Sequence, residues 1–217
     1  LESWGIRYKR GRDYLHSPDP QYITKRDYAR ECVRRAQESA GRIVALFLDE
    51  LTYYRQPSLA SDWSWRGREH QPRAHFSYAA NAKRRIVSAL NAVTGEVVFE
   101  QAWKIGVQRL VSFYPLIRER YPQAEVIYVI QDNWPVHFQA RVEASAHKSG
   151  IELVRLPTYA PWLNPIEKLW RKLKQEVLHL HRSSDDWPKL QQRVAAFLES
   201  FRTGSRALLR YVGLLPD

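Results

Sequence analysis

The apolar positions of this chain fall into short unbroken runs separated by stretches with helical spacing. Ile43-Val44-Ala45-Leu46-Phe47-Leu48 and the segment Glu125 to Gln131 are strand-length and do not alternate, the pattern of strands covered on both faces. Arg85 to Val93 and Glu96 to Lys104 predict two more strands, joined at Thr94-Gly95 in a hairpin, and Ile151 to Leu156 predicts a last one. Lys25 to Ala40, Val107 to Tyr121 and Pro135 to Lys148 predict helices. Thr24 with Asp27 would cap the first, Gly41 would stop it, and Gly150 would close the third. A further helix is expected from Asn164-Pro165, because Ile166, Leu169, Trp170, Leu173, Val177 and Leu180 share one face. Asp186 to Arg202 reads as another, with Pro188 in its first turn.

The order is strand, hairpin pair, helix, strand, helix, strand, helix. It predicts an α/β fold in which a mixed sheet of antiparallel hairpin strands and parallel strands is flanked by helices, the order of the ribonuclease H-like fold, although other α/β orders share the pattern. Residues 42–202 would form that domain, with a polar insertion at 53–84. Residues 25–41 read as a linker helix and 203–217 as a C-terminal tail. The turn-rich residues 1–24, with Ser17-Pro18-Asp19-Pro20 near their end, read as a linker or the tail of a missing upstream domain. The chain contains no Met, the sign of a processed start or of a piece of a longer protein.

Charge narrows the partners. The 34 Lys and Arg against 23 Asp and Glu leave a net charge of +11, which favours a polyanion such as nucleic acid. Much of the excess lies between residues 55 and 85, where Arg55, Arg66, Arg68, Arg73, Lys83, Arg84 and Arg85 face only Asp62 and Glu69; a solubilising surface is the other reading. The lone Cys32 excludes an internal disulfide. No apolar run approaches the roughly 18 residues of a membrane span, and no signal-peptide pattern opens the sequence, so a cytoplasmic protein acting on chromosomal DNA is expected.

Asp49 and Asp132 each end an apolar strand, and in open α/β sheets ligands bind off the carboxyl ends of strands. If those strands are parallel neighbours, the two acids converge. Together with Glu167 at the start of a helix they would suit hard divalent cations, which can clamp the attacking and leaving oxygens of a phosphoryl displacement. Taken singly, each acid has an ordinary explanation. An Asp at a strand end is often a turn residue, and Glu167 can close a capping box with Asn164.

The context of these acids is more specific. Gln131-Asp132-Asn133-Trp134-Pro135-Val136-His137 and Pro157-Thr158-Tyr159-Ala160-Pro161-Trp162-Leu163-Asn164-Pro165-Ile166-Glu167-Lys168-Leu169-Trp170 resemble the two signature blocks of the Tc/mariner superfamily of DDE transposases, in particular its bacterial insertion-sequence branch. The 34 residues between Asp132 and Glu167 match its DD34E members. Leu48-Asp49-Glu50 looks like the first-acid block, and Trp65-Arg66-Gly67 with Gln71-Pro72 resembles the stretch after that block; the likeness spans roughly residues 40 to 200. The resemblance implies a ribonuclease H-like catalytic core in which Asp49, Asp132 and Glu167 hold two Mg²⁺ ions, with Mn²⁺ able to replace them. It implies cleavage at transposon ends, transfer of the freed 3′-hydroxyl into target DNA at a TA step, and a homodimer on DNA. Trp63, Trp65, Arg66, Arg68 and His70 in the insertion, Lys83, Arg84 and Arg85 at its end, Asn133 and His137 in the second block, and Lys168, Arg171, Lys172 and Lys174 after Glu167 are the candidate DNA contacts. An inactive DNA-binding descendant and a ribonuclease H-like nuclease remain the alternatives. The helix-turn-helix modules that family members carry ahead of the catalytic domain have no counterpart in the first 24 residues.

Overall fold

A computed structural model describes residues 16–216 of the chain. Its centre is one five-stranded sheet built from β1 (Ile43–Tyr54), β2 (Lys83–Asn91), β3 (Val97–Ala102), β4 (Val126–Gln131) and β5 (Ile151–Arg155), in the spatial order β3, β2, β1, β4, β5. The first three strands are antiparallel, and β1, β4 and β5 are parallel. Parallel neighbours need crossover connections, and helices α2 (Val107–Arg120) and α3 (Ala140–Lys148) fall in the connections leading to β4 and β5. Helices α1 (Tyr22–Glu38), α4 (Ile166–Leu173), α5 (Trp187–Glu199) and α6 (Arg206–Val212) complete the order.

Strand alternation divides the core into two layers. Val44, Leu46 and Leu48 of β1 face the layer that contains Leu110, Phe113, Ile117, Val142 and Ala146 of α2 and α3. Ala45, Phe47, Leu51 and Tyr53 face the other, with Cys32 of α1, Ile166, Leu169 and Trp170 of α4 and Leu190 and Val194 of α5. A sheet buried on both faces accounts for the unbroken apolar runs of β1 and β4.

Several boundaries differ from those expected. β1 does not stop at Leu48 but runs on to Tyr54, paired beyond Phe47 with β2 alone. Helix α1 starts at Tyr22, so Thr24 lies inside it and caps nothing; the Asp19 carboxylate instead accepts the Gln21 amide at 2.9 Å. The expected helix from Pro135 to Lys148 is a 3₁₀ turn at Pro135–Phe138, a break at Gln139, whose ψ is 131°, and then α3. After α4 a π-helical turn, Lys174–Leu178, shifts the register, burying Leu178 and leaving Leu180 half-buried at a positive φ of 48°. The residues expected as a tail include α6, whose Leu208, Leu209 and Val212 are buried.

The docking of α6 sets Gly95 apart from Gly41. Gly95, at φ 73° in the β2–β3 turn, would place a Cβ 2.5 Å from the Ser205 carbonyl just ahead of α6, while Ser205 donates its amide to the Thr94 carbonyl at 2.9 Å. Gly41 has a similar φ of 89° but open space around it. Gly41→Ala is therefore expected to lose only the left-handed backbone cost, about 1 kcal/mol, and Gly95→Ala that cost plus roughly 1–3 kcal/mol of overpacking. Urea unfolding of the two variants checks this; equal losses would mean that α6 is not seated on the hairpin.

Candidate active site

The parallel pairing of β1 with β4 ends at Phe47 and Ile130. Beyond it β1 continues past an open ledge, which carries Asp49, and β4 gives way after Gln131 to Asp132. Helix α4 begins across this ledge with Glu167 in its first turn. Asp49, Asp132 and Glu167 line one cleft of about 530 Å³, walled by Asn133, Trp134 and Pro135 on one side and by Leu156 to Pro161 on the other. Asp49 thus stands within its strand, and it reaches the cleft because its parallel neighbour stops.

The three carboxylates are held differently. Trp170 of α4 donates its indole Nε1–H to Asp49 Oδ2 at 2.8 Å. Asp132 Oδ1 accepts the Trp134 amide at 3.0 Å and lies 3.3 Å from His137 Nδ1. The Glu167 side chain makes no hydrogen bond among the described residues, and only burial and neighbouring charges act on it. The capping box expected of it is not formed. Asn164 turns its side-chain amide inward to donate to the Leu48 carbonyl at 3.2 Å, and its Oδ1 is buried without a partner.

Burial, together with the nearby Glu167 and Glu50 carboxylates, pushes the Asp49 acid up to about 7 despite the opposing hydrogen bonds from the Glu50 amide and Trp170. Partial burial and Asp132 raise Glu167 as well, against Lys174 and Arg171. Burial alone would also raise Asp132, but His137 and the Trp134 amide outweigh it and its carboxyl lies below the ordinary range. Among the described residues no group of three or more His, Cys, Asp or Glu stands close enough to hold a metal ion. The acids share the cleft without being drawn into one coordination sphere.

His137, expected near a DNA phosphate, is instead fully buried. Its Nε2 donates to Glu50 Oε1 at 3.1 Å, so the imidazole bridges Glu50 and Asp132. Burial works against its charge, yet the two carboxylates prevail and raise it to about 9. Alternation explains the pair: Glu50 leaves β1 on the face opposite Asp49, toward α2 and α3. The Asp-Glu dipeptide with a His five residues after the second Asp is the signal in the sequence for this bridge, and the motif reading alone passes over Glu50.

The other candidates separate by position. Trp65 is 85% exposed, and Arg66, Arg68 and His70 are exposed around a 3₁₀ turn at Arg68–His70 in the loop between β1 and β2. Trp63 is exposed on the same loop. Lys83, Arg84 and Arg85 open β2; Lys83 is exposed and Arg84 and Arg85 half-buried. Asn133 is committed to structure, donating to the Leu156 carbonyl at 2.7 Å and to Thr158 Oγ1 at 3.2 Å. Lys168, Arg171 and Lys174 line a groove of about 720 Å³ that shares Glu167 with the cleft. Lys172 turns away, paired with Glu176 and 5.1 Å from the Tyr211 ring. No helix among the described residues is long and apolar enough to cross a membrane.

Comparison with known proteins bears on the family and the fold. Residues 44–191 match the family model described as DDE superfamily endonuclease. The chain is 25% identical over 202 residues to the insertion element IS630 uncharacterized 39 kDa protein of Shigella sonnei, covering 92% of this chain and 57% of that one. It superposes on the Mos1 mariner paired-end complex with Mn at a TM-score of 0.68 and 16% identity, over 100% of this chain and 65% of that one. The crystal structure of the Mos1 transposase catalytic domain matches at a TM-score of 0.54 and 13% identity, over 94% and 92% of the two chains. These likenesses carry the ribonuclease H-like fold of transposase catalytic domains, and the chain spans somewhat over half the length of the insertion-element protein. By the match over residues 44–191, the chain belongs to the DDE superfamily endonucleases.

Proposed function

We propose that this chain is the catalytic core of a cut-and-paste DNA transposase, in which Asp49, Asp132 and Glu167 hold divalent cations. The observation that carries the proposal is the convergence of three carboxylates, from a strand, a strand end and a helix start, on one cleft of a DDE-family chain. The donor set fits Mg²⁺ or Mn²⁺, since all three are hard oxygen ligands and no thiol or imidazole lines the cleft among the described residues. The raised Asp49 acid fits as well, because crowded anions gain most from a cation. Glu167, tethered by no hydrogen bond, is able to turn toward the two Asp side chains.

Asp49, Asp132 and Glu167 would hold such ions, which would supply activation of an attacking oxygen and stabilisation of a leaving one in a displacement at phosphorus. The chain's own residues supply the rest. Trp170 orients Asp49, while Trp134 and His137 orient Asp132. Cleavage at transposon ends, transfer of a 3′-hydroxyl into a TA target and assembly as a homodimer on DNA are the finer parts of this reading. They rest on the sequence blocks around the acids and on relatives captured as paired-end and strand-transfer complexes. The exposed Trp65, Arg66 and Arg68 and the groove formed by Lys168, Arg171 and Lys174 are suited to phosphate contacts.

Nicking of duplex DNA and of an RNA:DNA hybrid, with and without Mg²⁺ or Mn²⁺, tests the reading. Metal-dependent nicking of DNA is expected, with a loss on the order of 10³-fold in Asp132→Asn and in Glu167→Gln, the exposed Glu167→Gln keeping stability within about 1 kcal/mol and Asp132→Asn remaining folded. Cleavage of the hybrid alone would move the chain to a ribonuclease, and parental activity in a folded Asp132→Asn variant would remove Asp132 from the site.

The crowded carboxylates also set a pH dependence. The Asp49 acid titrates at about 7 when folded against its ordinary 3.8, so between these values the folded chain holds more protons and metal-free stability falls as pH rises. His137 acts in the same direction, stabilising below 6.5 and losing that contribution as pH passes about 9. Melting in EDTA should be higher at pH 5 than at pH 8, and Asp49→Asn should recover roughly 2–4 kcal/mol at pH 8. A flat profile in the parent chain would refute the crowding.

For DNA contact, Arg66→Ala combined with Arg68→Ala should weaken binding to all duplexes alike and make the salt dependence shallower by a slope of about 0.9 per lost phosphate contact. Anisotropy titrations at two salt concentrations read both effects; an unchanged slope would place these residues off the DNA path.

A further inference from the structure

One wall of the cleft is a loop, Pro157 to Ala160, that presents an aromatic side chain no hydrogen bond holds. Tyr159 is 77% exposed and its backbone sits at φ 53°, in the left-handed region that a bulky side chain rarely adopts. Such a conformation persists only where neighbours over-determine it. Here they do so on both sides of Thr158. Asp19, with a side chain only 3% exposed, accepts the Thr158 amide at 2.9 Å and the Lys25 ammonium at 2.7 Å on the same oxygen. Ser17 Oγ donates to the Thr158 carbonyl at 2.5 Å. From the opposite side Asn133, next to Asp132, ties Leu156 and the Thr158 hydroxyl. Beyond the loop Trp162 donates its indole to Tyr22 of α1 at 3.0 Å. The segment before α1, expected to be a linker, is thus latched to the cleft wall.

We propose that Tyr159 is a base-stacking residue at the cleft mouth, held in place by the latch of Ser17 and Asp19 on Thr158. The inference rests on the reading that the cleft acts on DNA and adds which part of the DNA it engages. A stacking side chain needs an unstacked base, so the ligand is a nucleotide at an unpaired or frayed end beside the phosphate in the cleft, rather than the interior of a duplex. Tyr159 fits this role: it lines the same cleft as the three acids, its ring is exposed, and its backbone is pinned at both ends of the preceding residue. Aromatic stacking is sequence-tolerant, so no base preference is implied.

The test uses the 217-residue chain with Ca²⁺ in place of Mg²⁺, so that the carboxylates are screened while cutting is suppressed, with two fluorescent probes of equal duplex length, one blunt and one carrying a short unpaired 3′ tail that contains 2-aminopurine. Tyr159→Ala is expected to weaken binding to the tailed probe by about 5- to 100-fold and to leave the blunt probe within about twofold, with Tyr159→Phe restoring the parent affinity. The 2-aminopurine emission should be quenched by the parent and the Phe variant but not by the Ala variant. Asp19→Ala should reproduce the loss on the tailed probe; if it does not fold, Ser17→Ala, which releases the Thr158 carbonyl without stranding Lys25, takes its place. Equal weakening on both probes, or none on the tailed one, overturns the stacking role. Parent-like binding by a folded Asp19→Ala variant overturns the latch. A parent chain that binds neither probe overturns the DNA reading itself, and this inference with it, whereas selective loss on the tailed probe leaves that reading standing.

Discussion

The parallel pairing of β1 with β4 ends two residues before Asp49, and the geometry of the cleft depends on that unequal length. Because β1 runs on against β2 alone, the sheet has a step at which one flank of β1 lacks a neighbour. Asp49 lies on the step, Asp132 comes directly after the strand that stops there, and α4 packs across it. Alternation along β1 then separates two acids adjacent in sequence. Asp49 faces Trp170 and Glu167, and Glu50 faces His137 on the other side of the sheet. A slip of one residue in the β1 register would exchange them, set the wrong carboxylate against α4 and cost the Trp170 bond to Asp49 and the His137 bond to Glu50.

That arrangement gathers negative charge inside a chain that is strongly positive overall. Asp49 bears most of the cost, because it is the deepest of the three and has Glu167 and Glu50 nearby. Asp132 escapes it through the His137 imidazole and the Trp134 amide. The basic residues stand outside: Lys168, Arg171 and Lys174 line the groove beyond Glu167, and Arg66 and Arg68 lie on the long loop. A phosphodiester drawn to this surface would meet a basic rim and an acidic floor. Cations between the phosphate and the acids would reconcile binding at the rim with repulsion at the floor, an electrostatic argument for metal that does not depend on the likeness to known transposases.

The strands and the three acids are legible in the sequence because continuous apolar runs and dense local motifs are short-range signals. The same signals cannot show where pairing stops, so the apolar run of β1 ends at Leu48 although its polar continuation Asp49-Glu50 still pairs with β2. Asn164 illustrates a second limit. Its place before Pro165 and Glu167 matches a capping box, but the Leu48 carbonyl offers a buried partner from a strand over a hundred residues away, and the tertiary bond replaces the local one. His137 departs from expectation for a related reason. A His in the first turn after a strand is often exposed, and only the fold brings Glu50 within reach of it. The π-helical turn after α4 likewise leaves no mark in the apolar spacing, which fits a regular helix through Leu180.

The tethers around the cleft divide it into fixed and adjustable parts. Asp49 and Asp132 are rooted in the sheet and hydrogen-bonded to Trp170, Trp134 and His137, so their rotamers are set before any ligand arrives. The opposite wall is pinned at Thr158 by Ser17 and Asp19 from one side and by Asn133 from the other, residues far apart in the chain. Between these anchors, Tyr159 and Glu167 line the cleft with side chains that no hydrogen bond holds, and the two lie eight residues apart where the chain passes from β5 into α4. The carboxylate that we propose faces a cation and the ring that we propose faces a base are therefore carried on one loop-to-helix connection, the ring on backbone already latched at Thr158. Because that connection is already held at Thr158, Trp162 and Asn164, a DNA end seated against Tyr159 would leave only the Glu167 rotamer to be set before the carboxylates close on a cation.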